Sequence, residues 1–486
     1  MRSSLLVLLL LVPALFGQDE DLGPLVKRLT DAYAIVEQNA ADPVSSEQAF
    51  YQGAIPGMLR RLDPHSVFFD PGQFEQLKKL ETSTQKGFGS VVSVLPGRVI
   101  VLQTLPGTPS AKSGIAPGDE ILAINGYQLS RLDMEQLVGL LGQSRQQQAR
   151  LDVKRPNQPG ILQFIMTPQE MQSPSVERIF LLKPGIGYLR VSSFDEKTGE
   201  QIREGIEKLG GRKLKGLVLD LRNNPGGMLT AAIATAGLFL KPGQTIVTVR
   251  GRNVAEKTEK VPEKATPYEF PMCVLVNGKS ASASEIVSGA LQDHDRATII
   301  GEPSFGKGLV ESVYPLSDST GLALTTALYY TPSGRSIQKP LDSAQFALAE
   351  KASHPNSQGD FQTDAGRKVT GGGGIVPDEV VFPPAMTRLR AVLDGSGVFT
   401  TYATGYLRDH KVGDDFDVTP ALLDDFKVFV AQRGIQPGVA EWSGERDFIQ
   451  ARLKTEIFNQ ALGVEKGDEI EARRDPQVLK ALEILK

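Results

Sequence analysis

The chain has 486 residues, of which 40% are hydrophobic and 23% charged, and its formal net charge is −4. This composition is that of a globular protein of about three domains. Lys and Arg are spread along the whole chain without a basic stripe or interleaved aromatic residues, so nucleic acid is not expected as a partner.

The first 17 residues have the pattern of a secretory signal peptide. Arg2 precedes an apolar run from Leu5 to Leu11, and Gly17 precedes an acidic stretch. A membrane-spanning helix needs about 20 apolar residues, and this run is shorter. The only cysteine, Cys273, lies in a predicted buried strand, so neither a disulfide nor a lipid anchor after the signal is expected. We therefore expect an exported protein of the periplasm or cell envelope, or one released outside the cell.

Residues 18–84 have helical apolar spacing, which predicts two or three helices, interrupted by a turn at Asp63-Pro64. In residues 85–170 the pattern changes to short β runs separated by Pro-Gly and Asn-Gly turns, with one strong helix predicted at 133–141. These features predict a helical N-terminal segment followed by a small β-rich domain.

Residues 171–384 alternate strands with helices, which predicts an α/β core. Further strands are predicted at 309–314 and 322–329, and the polar stretch 342–370 is interpreted as a surface insertion. Residues 385–486 return to helical spacing. The predicted fold class is therefore multidomain, α/β plus β, with helical segments at both ends of the chain.

The run Ser280-Ala-Ser-Ala-Ser-Glu285 lies between a predicted strand at 273–276 and a predicted helix at 284–294. Ser282 and Glu285 form a Ser-x-x-Glu capping box, so the structural interpretation is a helix start. The functional interpretation is a nucleophile, because the unpaired amides at a helix N-terminus can hold the oxyanion of an acyl-transfer intermediate.

A histidine is the first candidate for the base that activates the serine. The chain has four histidines: His65, His294, His354 and His410. His294 follows Ser282 by about 18 Å of helix at the standard rise, which excludes direct proton transfer. His65 and His354 fall in predicted turns, and His410 falls in the helical tail. No Gly-x-Ser-x-Gly elbow is present either.

Lys307, in the segment Phe-Gly-Lys-Gly, is the alternative base. Gly301 to Lys307 also approaches a phosphate-binding loop, but Gly308 replaces the required Ser or Thr, and a strand rather than a helix follows. A lysine acts as a base only when its surroundings disfavour its charge. Glu311 lies on the same strand face, and an ionised carboxylate there favours the charged amine.

Two turns contain glycines suited to close backbone approach. Gly226-Gly227 follows a predicted buried strand and is either a tight connection or a source of amides for a substrate carbonyl. The β-rich domain opens with Gly87-Phe88-Gly89-Ser90, whose amides suit a peptide carboxylate while the strand edge pairs with the peptide.

At these motifs the chain resembles the C-terminal processing peptidases, also called tail-specific proteases. The resemblance extends over nearly the whole mature length. It is carried by residues 62–66, 114–126, 220–227, 280–285, 305–308, 330–338 and 374–378. It implies a PDZ domain at 85–170 and a peptidase core of crotonase-like or ClpP-like type at 171–384.

The resemblance also implies roles for single residues. Ser282 is then the nucleophile and Lys307 the base, and the oxyanion hole combines the Ala283 amide with the Gly226-Gly227 turn. The family usually has a glutamine four residues after the lysine, where this chain has Glu311. The segment at 87–90 then binds substrate tails.

Arg155, at the end of the last PDZ-like strand, matches an arginine that couples the gate to catalysis in some members of the family. The expected function is a serine endopeptidase without metal or cofactor, which cleaves near the C-terminal tails of protein substrates. An adaptor protein and a second copy of the chain are further expected partners. The alternatives are a non-catalytic PDZ scaffold or chaperone, and a nucleotide-binding protein.

Overall fold

The structure is a computed structural model that describes residues 22–81, 84–156, 158–316, 319–339 and 360–486. The predicted signal peptide at 1–17 lies outside the described residues. So does most of the predicted insertion at 342–370.

The N-terminal segment is helical and ends in a strand and a further helix. Its elements are α1 (Gly23–Asn39), a π-helical stretch (Gln48–Ala54), α2 (Ile55–Leu59), β1 (Val67–Phe69) and α3 (Pro71–Glu81). The predicted turn is present between α2 and β1, where the Asp63 carboxylate accepts the N–H groups of His65 and Ser66 at 2.7 and 2.8 Å. This aspartate turn directs the chain from the helices into β1.

In the described residues of the β-rich domain there are eight strands and two α-helices, with a 3-10 helix at Leu129–Arg131. They are β2 (Thr84–Gly87), β3 (Ser90–Leu95), β4 (Arg98–Thr104), α4 (Pro109–Ser113), β5 (Glu120–Ile124), β6 (Tyr127–Gln128), α5 (Met134–Ser144), β7 (Ala149–Lys154), β8 (Leu162–Met166) and β9 (Gln169–Gln172). The sheet order is β3-β4-β5-β7-β8, and β6 pairs with β5. The first and last strands, β2 and β9, pair with each other, so the chain enters and leaves this domain side by side.

The core is built on a six-stranded sheet and a five-stranded sheet. Its elements are β10 (Val176–Lys183), β11 (Ile186–Val191), α6 (Thr198–Leu209), β12 (Gly216–Asp220), α7 (Leu229–Gly237), β13 (Thr245–Arg250), β14 (Lys257–Lys260), β15 (Met272–Val276), α8 (Ala283–Asp293), β16 (Thr298–Gly301), β17 (Leu309–Pro315), β18 (Gly321–Tyr330), β19 (Phe361–Gln362), β20 (Lys368–Val369) and β21 (Glu379–Val380).

The six-stranded sheet has the order β10-β11-β12-β15-β16-β21, and every pair from β11 onward is parallel. Residues of α6, α7 and α8 share one apolar cluster with this sheet. Neighbouring parallel strands end at the same edge of a sheet, so the loops after β12 and β15 meet there. These are the loops that carry Gly226-Gly227 and Ser282.

The five-stranded sheet is centred on β18. Strand β17 pairs along one edge of β18, and β1 and β13 share the other edge. The register places Glu311 opposite Thr325, and Val67 of β1 opposite Ala323. Residues just before β1 therefore approach Glu311 across a single intervening strand.

The C-terminal region forms a separate helical cluster. Its helices are α9 (Arg388–Gly395), α10 (Val398–Asp409), α11 (Pro420–Ala431), α12 (Val439–Gly444), α13 (Arg446–Ala461), α14 (Val464–Ala472) and α15 (Pro476–Ile484). Most of them enclose their own apolar core, whereas α15 packs on the six-stranded sheet. The predicted fold class is confirmed. Within the described ranges, no helix has the length and apolar character needed to cross a membrane.

Candidate active site

Ser282 occupies a strained position between β15 and α8. Its backbone has φ 51° and ψ −113°, and α8 begins at the next residue. Such backbone in a non-glycine residue costs about 1–3 kcal/mol and persists only where its surroundings hold it. The flanking hydroxyls of Ser280 and Ser284 donate to the carbonyls of Leu221 and Asn224 at 2.8 and 3.0 Å. The hydrogen bonds of Ser280 and Ser284 thus fix the loop, and Ser282 between them is held in the strained conformation.

Glu285 connects the serine loop to the lysine loop. Its side chain is fully buried, and its Oε2 accepts the backbone N–H groups of both Ser282 and Lys307, each at 2.9 Å. Its Oε1 accepts the N–H of Gly306 at 2.7 Å and the hydroxyl of Ser304. One carboxylate therefore places the backbones of the two predicted dyad residues side by side.

The charge on Glu285 is balanced between burial and hydrogen bonding. The pKa of this carboxyl is raised to about 7, because the effect of burial outweighs that of the four donors, which stabilise the anion. The anion and the neutral acid are therefore both populated near neutral pH, and the four donors pair with the anion. The Ser-x-x-Glu pattern predicted a local helix cap, and it gave no sign of the second set of donors some 20 residues downstream.

Tyr329 of β18 supports the same junction. Its buried hydroxyl lies 2.5 Å from the Lys307 carbonyl oxygen and 3.2 Å from that of Ser282. Burial raises its pKa well above the usual value, so the hydroxyl stays protonated and acts as a donor. The two loops are thus held from two sides.

The Lys307 ammonium pairs with Glu311. Its Nζ lies 2.8 Å from Oε1 and 3.0 Å from Oε2 of that carboxylate, and about a fifth of its side chain is exposed. Among the hydrogen bonds of the described residues, none joins Lys307 Nζ to the Ser282 hydroxyl. The structure therefore brings the predicted serine and lysine loops together and shows the amine held by Glu311.

The three predicted oxyanion donors, Gly226, Gly227 and Ala283, differ in whether their backbone N–H already has an acceptor. Gly226 packs so closely that a Cβ on it would lie 2.8 Å from Ser282 Cβ, but its N–H donates to the Asn224 side chain at 2.9 Å. For Gly227 and Ala283, the described residues contain no acceptor for the backbone N–H. Gly227 and Ala283 are thus the available donors, and Gly226 is a spacer rather than a donor.

The segment Gly87-Phe88-Gly89-Ser90 lines a cavity of about 250 Å³ in the β-rich domain. Gly89 has φ 80°, and a Cβ there would lie 2.2 Å from Thr108, so only glycine fits. Lys86 and Arg145 also line the cavity. The remaining lining is mostly apolar, with Ile121, Ile124, Leu141, Leu151, Met166 and Met171. An apolar groove with two basic residues suits a peptide end that carries a carboxylate.

Arg155 lies away from that groove. Its guanidinium donates to both carboxylate oxygens of Asp119, at 2.8 and 2.7 Å, and to the Gly114 carbonyl at 2.7 Å. The bonds to Asp119 raise the pKa of Arg155. Its side chain borders a cavity of about 540 Å³ shared with α10, which includes Thr404 and Arg408. Arg155 therefore lies between the β-rich domain and the C-terminal helices, outside the groove lined by residues 87–90.

The described histidines lie in the predicted local elements, but the contact of His65 with Glu311 was not predicted. His294 caps the far end of the continuous α8, where it contacts Asp364 and the Thr245 carbonyl, each at 2.7 Å, so its exclusion as the base is consistent with the structure. His65 lies in the predicted turn, where its N–H donates to the Asp63 carboxylate, but its side chain is not a free surface group. Its ring instead lies partly buried beside Glu311, with Nδ1 3.9 Å from Oε1. His354 lies outside the described residues.

A buried ion pair supports the loop that carries the two glycines. Arg222 contacts Asp220 and Asp475, each at 2.6 Å, and Asp475 caps α15. Burial opposes the charge of Asp220, but Arg222 holds the pKa of this carboxyl below its usual value. The last helix is thereby tied to the edge of the candidate site. In the described part of the chain, no cluster of three His, Cys, Asp or Glu side chains suits a metal ion.

Comparison with known families gives two matches. Peptidase family S41 matches residues 185–342, and the PDZ domain family matches residues 100–155. The first match contains Ser282 and Lys307, and the second contains Arg155.

The chain is similar to curated proteins over most of its length. It is 40% identical to a carboxy-terminal-processing protease of Bartonella bacilliformis over 61% of this chain and 68% of that protein. It is 34% identical to a carboxyl-terminal-processing protease of Synechocystis sp., over 62% and 72% of the two chains. Among solved structures, a photosystem II D1 C-terminal processing protease has 25% identity and a TM-score of 0.40, covering 76% of this chain and 91% of that one.

Proposed function

Because the chain belongs to the carboxy-terminal processing proteases of peptidase family S41, we propose that it cleaves protein substrates with Ser282 as nucleophile and Lys307 as base. Membership in this family confirms the resemblance drawn from the motifs. It also makes the chain a serine-type peptidase, whose substrates are proteins.

One observation supports the dyad above all others. Oε2 of the buried Glu285 accepts the N–H groups of both Ser282 and Lys307, at 2.9 Å each. A dyad requires its two members to be fixed within reach of each other before substrate arrives. The strained backbone of Ser282, and the Glu285 carboxylate that binds both backbones, fix the two residues in this way.

The proposed reaction is acyl transfer. The neutral Lys307 amine takes the proton from Ser282 Oγ as that oxygen bonds to the substrate carbonyl carbon. The resulting ammonium gives the proton to the leaving amine, and water then hydrolyses the acyl-enzyme. The N–H groups of Gly227 and Ala283 stabilise the oxyanion at each addition step.

Substrate selection is proposed to lie in the β-rich domain. The groove at Gly87-Phe88-Gly89-Ser90 joins an apolar lining to the basic side chains of Lys86 and Arg145. Such a groove holds a chain end by its carboxylate and its last apolar side chain. The β-rich domain then controls which substrate tails reach the peptidase core, and so acts as a gate. Strands β2 and β9 are the paired connection through which its position affects that core.

A serine-directed probe tests the nucleophile. A fluorophosphonate is expected to label one serine, and peptide mass spectrometry should place the label on Ser282. Labelling should compete with a substrate tail that ends in a free carboxylate, and an amidated tail is the control. A label at any other serine, or none at any pH, would contradict the proposal.

The ion pair of Lys307 with Glu311 favours a second candidate, a PDZ scaffold or chaperone whose lysine stays charged. Replacement by glutamine separates the two candidates, because Gln keeps the shape of Glu311 and removes its charge. We expect Glu311→Gln to move the acid limb of the kcat/KM profile to lower pH by about one unit, since the ammonium loses its counter-charge.

The measurement is tail cleavage from pH 5 to 10. Glu259→Gln is the matched control, because Glu259 on β14 is also partly buried and paired with a lysine, Lys257, at 2.6 Å. A peptidase should lose all turnover in both forms when Ser282→Ala is added. A scaffold should show no turnover dependent on Ser282 in either form, whatever the pH.

Export is proposed from the first 17 residues, with the periplasm or cell envelope as the site of action. An adaptor protein and a second copy of the chain are proposed as partners. The C-terminal helices, whose core is separate from that of the peptidase, are the proposed contact region.

A further inference from the structure

His65 approaches Glu311, the partner of Lys307, from a segment that is remote in sequence. It lies in the aspartate turn two residues before β1, and β1 pairs with β18 at Val67 and Ala323. Ser66 extends this contact, because its Oγ accepts the N–H of Thr325 at 3.2 Å. Thr325 is also the register partner of Glu311, so His65 and Glu311 face each other across β18.

The Glu311 carboxylate lies between two nitrogen groups. Its Oε1 is 2.8 Å from Lys307 Nζ on one side and 3.9 Å from His65 Nδ1 on the other. The three side chains are 21–27% exposed, so their interactions are only partly screened by solvent. A movement of about 1 Å brings the imidazole into hydrogen-bond distance of the carboxylate.

Burial is the main reason that His65 favours its neutral form. The groups that face it are Lys307, Glu311 and Asp63, whose carboxylate also binds the backbone of the turn. Burial and then the Lys307 charge lower the pKa of His65 despite the two carboxylates. The neutral ring carries one N–H, which Nδ1 can direct at Glu311.

We propose that His65 is a positioning residue that shares the Glu311 carboxylate with Lys307 and thereby loosens its hold on the ammonium. A carboxylate that accepts an imidazole N–H stabilises a neighbouring cation less. Lys307 then becomes neutral, and so able to take the Ser282 proton, at a lower pH than with Glu311 alone. This inference rests on the proposed Ser282–Lys307 chemistry.

The test is the pH profile of kcat/KM for tail cleavage by the full chain. His65→Phe removes the donor while keeping a ring, and it should move the acid limb about one unit higher, a tenfold loss on that limb, with the alkaline plateau unchanged. His65→Gln restores an N–H donor and should return the limb towards that of the unmodified protein. His410→Phe, in the C-terminal region, is the matched control and should leave the profile in place.

A double variant isolates the route through Glu311. In a Glu311→Gln background, His65→Phe should no longer shift the limb, because no charge remains to be shared. An unshifted limb in the single variant, or an equal loss at every pH, would overturn the inference. If His65→Phe does not fold, His65→Ala gives the same donor-free comparison. Cleavage that survives Ser282→Ala would instead refute the proposed function itself.

Discussion

Ser282→Ala is expected to lower kcat for tail cleavage by at least about 10⁴-fold, and Lys307→Ala by about 10²–10⁴-fold. The first change removes the atom that forms the acyl bond, and the second removes the base that activates it. Neither side chain carries the junction between the loops, because Glu285 binds the backbone N–H groups of both residues. Both variants should therefore unfold at nearly the same temperature as the unmodified protein.

Two exposed residues provide matched controls for this prediction. Lys279 lies on the loop before Ser282, and Ser443 lies on α12. The variants Lys279→Ala and Ser443→Ala should both cleave the tail at the rate of the unmodified protein. The double variant of Ser282 and Lys307 should be no slower than Ser282→Ala, since the two groups act as a unit. Retained cleavage by Ser282→Ala would rule out this serine as the nucleophile.

The sequence predicted the serine and lysine loops because each has a strong local signature. Continuous apolar runs predicted the buried strands, and the end of each run predicted where the following loop begins. The run of small residues around Ser282 and the Phe-Gly-Lys-Gly segment then stood out at strand ends. That the two loops meet follows from the sheet order, which the alternation of strands and helices does not specify.

Other features depended on contacts between distant segments. Gly226 and Gly227 look equivalent in sequence, but the Asn224 side chain takes the N–H of Gly226 and leaves that of Gly227 open. His65 lies in the turn that the sequence predicts, but its contact with Glu311 could not be predicted, because nothing local shows that β1 joins β18 beside Glu311. The short strands β1 and β21 are held by pairing with longer neighbours, and periodicity over two or three residues cannot predict them.

Glu285→Gln should remove most activity while leaving the nucleophile and the base in the chain. The carboxylate accepts two donors on each oxygen, and an amide offers one oxygen and one NH₂ group. The NH₂ must then face two N–H or O–H donors in a fully buried site, which leaves them unsatisfied. We expect a loss of about 2–4 kcal/mol in the free energy of unfolding. Tail cleavage should fall by at least about tenfold, because the two loops shift relative to each other.

Denaturant unfolding and kcat/KM, measured on the same preparations, test this prediction. Glu263→Gln is the matched control on an exposed loop and should change neither quantity. Ser304→Ala removes only one donor to Glu285, on the oxygen that does not bind Ser282 or Lys307, so it should lower stability more than activity. Unmodified stability and activity in Glu285→Gln would mean that the carboxylate does not hold the two loops together. Ser282 and Lys307 would then be kept in place by their own loops, with Tyr329 as the remaining link between them.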